Sequence, residues 1–253
     1  MLEVIILAVL QGVAEFLPIS SSGHLVIGQH VLGINEPGMR LDLCLHMGTL
    51  LSIFVFYWRV ILRIIKNFEW FYVVKVVFSA LPAIVVYVFF KDFVEGMFDN
   101  TRMVGALLMF TGAVLIGTRY IPRGTKDVSV FRALLMGFGQ ALALLPGVSR
   151  SGMTLASARA GKVDPEKSAE FSFLMSAPLI VGGMLLEILK AVRGTGPATA
   201  DGLGWGVLIV GAVVAAVVGY FSLVLLVKAL KGKWFWLFGP YCLAAGLLTL
   251  ILV

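Results

Sequence analysis

The chain has 253 residues, of which 60% are hydrophobic and only 13% charged, and its formal net charge is +6. This composition excludes a soluble globular protein, and the length leaves no room for a separate soluble domain. The basic residues are scattered through short connections and form no continuous stripe, so nucleic acid is not an expected partner.

Membrane helices are predicted along most of the chain, because a hydrocarbon core about 30 Å thick needs roughly 20 apolar residues per helix. The length allows about eight to ten segments. We therefore expect an all-α, polytopic integral membrane protein with one membrane domain over residues 1–253. Uninterrupted apolar segments cover residues 41–58, 70–90, 103–118, 171–189, 203–227 and 235–253.

Two other apolar stretches, residues 11–31 and 137–161, contain Pro, Gly, Ser and charged residues at membrane depth. Irregular backbone is tolerated there only when it is buried in protein or lines a wet cavity. We therefore predict two re-entrant helix-turn-helix elements.

The Lys and Arg residues predict the orientation. Thirteen of the twenty lie in the connections 59–69, 119–132, 159–169 and 228–234. The positive-inside bias makes these connections cytoplasmic. The first re-entrant element then enters and leaves from the outer side, and the second from the inner side.

Opposite topology suggests an inverted duplication, with repeat 1 over about 1–125 and repeat 2 over about 126–253. At an offset of 129 residues, Gln11 falls on Gln140, and a one-residue slip places Asp42 on Glu170. Broken helices of inverted repeats often form a midplane site whose helix N-termini attract an anion. The other matches at this offset are Ser20 with Ser149, Ser22 with Ser151, and Gly23 with Gly152.

The first element carries a carboxylate followed by a turn rich in hydroxyl groups. Gln11 and Glu15 share one helical face, and Pro18 ends that helix. A carboxylate in an apolar segment is costly, which favours a functional role for Glu15 over a structural tether. Three serines and His24 follow, and a histidine beside Ser21 and Glu15 suits acid, base or nucleophilic work. The three serines are Ser20, Ser21 and Ser22.

The second element carries an arginine at the start of a helix. Pro146 and Gly147 break one helix, and a hydroxyl-rich run opens the next, where backbone N–H groups and hydroxyls can hold a phosphate. Arg150 suits bidentate phosphate contacts, although a structural ion pair with Glu15 is the alternative. The predicted phosphate-binding residues are Ser20, Ser22, Ser149, Ser151, Gly152 and Thr154.

These two stretches resemble the two signatures of the undecaprenyl-diphosphatase family, also called the bacitracin-resistance proteins. The first has the pattern (Glu/Gln)xxxGlu followed by Pro-x-Ser-Ser-x-Gly-His, and the second reads Pro-Gly-x-Ser-Arg-Ser-Gly-x-Thr. Residues 42–49 and 170–178 are similar to the family's accompanying stretches. The resemblance covers essentially the whole chain.

The resemblance implies hydrolysis of undecaprenyl diphosphate, an isoprenyl lipid, to the monophosphate and inorganic phosphate in the bacterial cytoplasmic membrane. This reaction recycles the lipid carrier of cell-wall synthesis and gives bacitracin resistance. The implied catalytic centre is Glu15, Ser21, His24 and Arg150. A divalent cation, Mg²⁺ or Ca²⁺, would be held by Gln11, Glu15 and the diphosphate, in keeping with the way Mg²⁺ binds through few carboxylates plus phosphates.

Several alternatives stay open at this point. The attacking group is Ser21, activated by His24, or His24 itself, or a water molecule. A homodimer is also left open. A lipid-phosphate transporter would need the same anion site. The acid-phosphatase-like lipid phosphatases are disfavoured because their further histidine would fall on Ala156. The secondary site candidates are Asp42, His46 and Glu170.

Overall fold

A computed structural model describes residues 1–32, 39–98, 100–193 and 204–252. This part of the chain is built from α-helices, which confirms the predicted fold class. The helices are α1 (Leu2–Phe16), α2 (Ser21–Leu32), α3 (Met39–Phe56), α4 (Trp58–Lys66), α5 (Trp70–Met97), α6 (Thr101–Gly117), α7 (Val130–Leu142), α8 (Arg150–Ala160), α9 (Pro165–Val192), α10 (Trp205–Lys231) and α11 (Phe238–Leu252).

Long apolar helices make this a multi-pass membrane protein. Within the described ranges, five helices are long and apolar enough to cross a bilayer: α5, α6, α9, α10 and α11. A sixth span results if α3 and α4, which are bent by 66° at Tyr57, cross as one unit. The chain length allowed eight to ten segments, but among the described helices α1, α2, α7 and α8 are too short to cross a bilayer alone, so the structure shows five or six.

Both predicted helix breaks are present, and each has a local cause. Leu17, which precedes Pro18, is extended with φ −66° and ψ 147°, because the proline ring disfavours the helical conformation of the residue before it. Helix α1 therefore ends at Phe16. The second break separates α7 from α8 and contains Pro146 and Gly147.

The outside of the molecule is apolar, as expected for a surface in contact with lipid. Phe71 and Phe89 are 86% and 76% exposed. The core lies between the helices, where Phe16 and Phe173 pack edge to face with ring centroids 5.6 Å apart. Both cysteines, Cys44 and Cys242, are free thiols, and Cys242 is buried.

Helices α6 and α11 approach each other closely through paired glycines. A Cβ atom added to Gly112 would lie 2.7 Å from the carbonyl oxygen of Gly239, and one added to Gly246 would lie 2.5 Å from that of Gly105. Membrane helices use small residues in this way, because van der Waals packing and not water exclusion holds them together. The contact fixes α11, whose Tyr241 and Cys242 bond His24 and the carbonyl of Pro18 at the first helix break.

We expect Gly112→Ala to destabilise the protein by about 1–3 kcal/mol, because its methyl group would overlap backbone of α11. Thermal unfolding in detergent measures the loss. Gly117→Ala is the matched control, since it makes the same change in the same helix where no atom of another described residue outside that helix turn lies within 4 Å of the added Cβ. Equal midpoints for the two variants would contradict the close packing of α6 on α11.

Candidate active site

A cavity of about 640 Å³ lies where the two helix breaks meet. One part of its wall is polar and another is apolar, so the cavity suits an amphiphilic ligand. The polar lining residues are Glu15, Ser20, Ser21, Ser22, His46, Gln140, Ser149 and Arg150. The apolar lining includes Leu43, Leu144, Val148, Leu179, Ile180 and Met184.

The first break presents Ser20 in an uncommon backbone conformation. Its φ is 70°, in the left-handed region that residues other than glycine rarely adopt outside functional or tightly held sites. The Ser20 hydroxyl accepts a 3.3 Å hydrogen bond from the backbone N–H of Gly23 and so caps α2. Ser21, the first residue of α2, consequently lies beside Glu15.

The second break repeats this capping pattern. The Ser149 hydroxyl accepts a 3.1 Å bond from the backbone N–H of Gly152 and caps α8. Thr111 of α6 holds the turn from behind: its hydroxyl donates to the carbonyl of Gly147 at 3.0 Å and accepts from the N–H of Ser149 at 3.2 Å. Gly147 has φ 93°, a conformation that suits only glycine here, because a Cβ would lie 2.4 Å from the carbonyl oxygen of Val104.

Glu15 is the centre of the polar wall. Its carboxylate accepts a 2.8 Å bond from the Ser21 hydroxyl and a 3.2 Å bond from the Gln11 amide, and it pairs with the Arg150 guanidinium. The side chains of Glu15 and Arg150 are only 6% and 18% exposed. A charge at this depth needs a partner, so the pair joins the two broken helices.

Arg150 keeps donor capacity in this arrangement. One terminal nitrogen, Nη2, bonds Glu15, whereas the other, Nη1, is buried without a partner in the described structure. An anion in the cavity can therefore bind Arg150 without first breaking the bond to Glu15.

His24 lies beside the cavity and is absent from its lining. Its Nδ1 is 2.9 Å from the carbonyl oxygen of Ser20, and its Nε2 is 2.8 Å from the hydroxyl of Tyr241 in α11. A carbonyl only accepts, so Nδ1 carries a proton, and when the ring is neutral the Tyr241 hydroxyl donates to Nε2. The structure thus places His24 behind the Ser20 turn.

Three of the predicted phosphate-binding residues also lie behind the cavity wall. The Ser151 hydroxyl donates to the carbonyl of Leu17 at 3.2 Å, which links the two breaks. Thr154 donates to the carbonyl of Arg150 at 2.8 Å and lies 2.6 Å from the Ser172 hydroxyl. The amide of Gly152 is bound by Ser149. The structure brings Ser20, Ser22 and Ser149 to the cavity itself.

The secondary candidates have different locations. His46 lines the cavity. Glu170 lies apart from it and accepts a 3.0 Å bond from Arg63 on α4. The side chain of Asp42 lies outside the described residues.

Three residues near the site were not predicted as parts of it. Gln140 lines the cavity, Thr111 holds the second break, and Tyr241 binds His24. The match of Gln140 with Gln11 at the 129-residue offset is a signal that could have found the first. Thr111 and Tyr241 come from distant helices and have no comparable signal.

The residues present fit a divalent cation only if a substrate supplies most of its ligands, because Gln11 is fully buried and does not line the cavity. Among the described residues, no group of three or more His, Cys, Asp or Glu side chains is placed to hold a metal ion. Glu15 offers one carboxylate, and Oε1 of Gln11 is a buried acceptor without a partner. Such a donor set is too small for a protein-only site but is typical of Mg²⁺ bound partly through phosphates.

Comparisons with known proteins agree over nearly the full length. A protein of Halothermothrix orenii named undecaprenyl-diphosphatase is 36% identical over 256 residues, covering 99% of this chain and 97% of that protein. Undecaprenyl-diphosphatase 3 of Bacillus cereus is 37% identical over 254 residues, covering 99% and 96%. The sequence profile of the bacitracin resistance protein BacA matches residues 4–248, so the chain that brings these two broken helices together belongs to the BacA family.

Proposed function

We propose that this protein hydrolyses undecaprenyl diphosphate to undecaprenyl monophosphate and inorganic phosphate. The observation that carries the proposal is the group formed by Arg150, Glu15 and Ser21, which places a cation, a carboxylate and a hydroxyl at one cavity wall. Phosphoryl transfer depends on positioning and on electrostatic stabilisation by such groups. The names of the relatives support the same reaction.

The apolar wall supports an isoprenoid as the other part of the substrate. Leu144, Leu179 and Ile180 line the same cavity as the serines and Arg150. A diphosphate headgroup would lie against the polar residues. The first isoprene units would pack against the apolar residues and so be removed from water. The product would re-enter the lipid carrier cycle of cell-wall synthesis.

Ser21 is the proposed nucleophile, and Glu15 is the proposed base. The Ser21 hydroxyl already donates to Glu15 at 2.8 Å, so its proton can pass to that carboxylate as Oγ bonds the terminal phosphorus. The bond between this phosphorus and the bridging oxygen then breaks, and the monophosphate leaves with the electron pair. Water then hydrolyses the phosphoserine, which releases inorganic phosphate and restores the Ser21 hydroxyl, and Glu15 gives up its proton to a departing phosphate or to solvent.

Arg150 and the capped helix starts would hold the transferred phosphate. The unpartnered Nη1 of Arg150 can donate to a phosphate oxygen while Nη2 keeps its bond to Glu15. The N-terminus of α8 begins at the same residue and adds its positive dipole. His24 would act by positioning, because its bonds to Ser20 and Tyr241 fix the turn that presents Ser21.

A divalent cation, Mg²⁺ or Ca²⁺, is the proposed cofactor. Glu15 and Gln11 would hold it together with the substrate phosphates. When bound, the cation would neutralise charge on the phosphate oxygens and so favour attack by an oxygen nucleophile.

The proposed location is the bacterial cytoplasmic membrane, with the cavity open to the outer side and the basic connections in the cytoplasm.

In a variant with Cys44 and Cys242 replaced by serine, we expect a membrane-impermeant maleimide to label Ser22→Cys and Asp92→Cys from outside intact spheroplasts. Thr125→Cys should react only after lysis, because it lies in a basic connection. The opposite labelling pattern would overturn the orientation.

For activity, we expect Arg150→Ala to lower kcat/KM about a thousandfold or more, since it removes the cation that contacts the transferred group. Phosphate release from undecaprenyl or farnesyl diphosphate in detergent, with Mg²⁺ present, measures the effect. Arg159→Ala is the matched control: it removes the same charge from the same helix, but its side chain bonds the carbonyl of Ile121 away from the cavity. It should keep near wild-type kcat.

The same assay tests the cofactor and the rival function. Chelation with EDTA should abolish release, and added Mg²⁺ or Ca²⁺ should restore it. If folded wild-type protein binds the lipid but releases no phosphate under any of these conditions, the transporter becomes the better interpretation.

We also expect Ser21→Ala to lower kcat about a thousandfold, because no hydroxyl would remain to attack phosphorus. Rapid acid quenching of wild-type enzyme with substrate labelled at the terminal phosphate should recover labelled protein, whereas Ser21→Ala should yield none. A fully active Ser21→Ala variant would show that water attacks directly. Labelled His24→Ala protein would support Glu15 as the base, because the phosphoserine would then form without the imidazole.

A further inference from the structure

Gln140 is a buried polar residue whose side-chain amide has no partner among the described residues. It lies on α7, is 2% exposed and lines the cavity. Both Nε2 and Oε1 are buried without a hydrogen bond in the part of the chain that the structure describes. Burying an amide without partners costs free energy, so such a group usually serves a ligand or a water molecule.

Gln11, the corresponding glutamine of the first half, has a hydrogen-bond partner that Gln140 lacks. Gln11, at the matching position 129 residues earlier, donates its amide to Glu15 one turn along the same helix. The residue one turn after Gln140 is Leu144, whose side chain cannot accept a hydrogen bond. The amide of Gln140 is therefore left for whatever occupies the cavity.

The surroundings of Gln140 indicate the charge of that occupant. Arg150 and Ser149 line the same cavity, and Nη1 of Arg150 is likewise without a partner. Unused N–H donors on two side chains from the same half of the chain suit the oxygens of an anion. The carboxylate of Glu15, by contrast, is already bonded by three groups.

We propose that Gln140 is a substrate-binding residue whose Nε2 donates a hydrogen bond to a phosphate oxygen of the diphosphate. This inference rests on the proposed function for the identity of the ligand. The second half would thereby supply two phosphate contacts, Gln140 and Arg150, while the first half supplies Glu15 and Ser21 for the reaction.

The test compares Gln140→Met, which keeps the length of the side chain but removes its polar atoms, with wild type. We expect kcat/KM for the isoprenyl diphosphate to fall about tenfold to a hundredfold, as for loss of a hydrogen bond to a charged group. The thermal midpoint of the ligand-free protein should stay equal or rise, because an unsatisfied buried amide is replaced by an apolar group. Gln140→Glu should lose more activity, since it replaces the N–H donors with a negative charge.

Binding is measured separately with methylenediphosphonate, a diphosphate that cannot be hydrolysed, from its stabilisation of the protein against heat. The stabilisation should be smaller for Gln140→Met than for wild type. Phe138→Leu, on the lipid-exposed face of α7, is the control and should match wild type in both assays.

The outcomes separate this inference from the proposed function. Wild-type activity in Gln140→Met, or a lower midpoint together with unchanged stabilisation by methylenediphosphonate, would overturn the role of Gln140 and leave the hydrolysis in place. If wild type binds methylenediphosphonate but cleaves no isoprenyl diphosphate, the hydrolysis fails, and weaker binding to Gln140→Met still supports the contact. Absence of diphosphonate binding by wild type would overturn the contact.

Discussion

The ion pair between Glu15 and Arg150 is the constraint on which the site depends. Either charge alone at membrane depth would cost about 2.5–3.5 kcal/mol or more, and removing one partner of a buried pair leaves the other uncompensated. The two residues lie on different helix breaks, so the pair ties the halves of the molecule together at the cavity. Glu15 also bonds Gln11 and Ser21, so the residue that links the two helix breaks is also the proposed base.

Irregular backbone inside an apolar protein has to be supported from several sides, and each break here is held by a helix distant in sequence. Thr111 of α6 bonds both ends of the turn before α8. Helix α11 supports the first turn, where the Cys242 thiol donates to the carbonyl of Pro18 and Tyr241 binds His24. The close glycine contacts between α6 and α11 therefore connect the supports of the two breaks.

The two halves share a capping pattern but differ in chemistry. Ser20 and Ser149 each cap a helix through the glycine three residues later, and each hydroxyl lies 3.3 Å from that of the serine two residues on. At the offset of 129 residues, however, the position of Ser21 corresponds to Arg150, and that of Glu15 corresponds to Leu144. One half thus presents a hydroxyl and a carboxylate, and the other presents a cation. The caps differ in backbone, because Ser20 has φ 70° and Ser149 has φ −73°. The repeat boundaries themselves stay a prediction.

The sequence by itself determined the membrane class, the two helix breaks and most of the polar residues that line the cavity. These features follow from local causes: the length of apolar runs, Pro18 and Gly147 in the backbone, and the cost of placing Glu15 or Arg150 in an apolar segment. Only the tertiary structure decided which polar groups are already satisfied. His24 bonds Tyr241, Thr154 lies against Ser172, and Gln140 has no partner within the described ranges. Hydrogen bonds between distant helices depend on packing that no local pattern records.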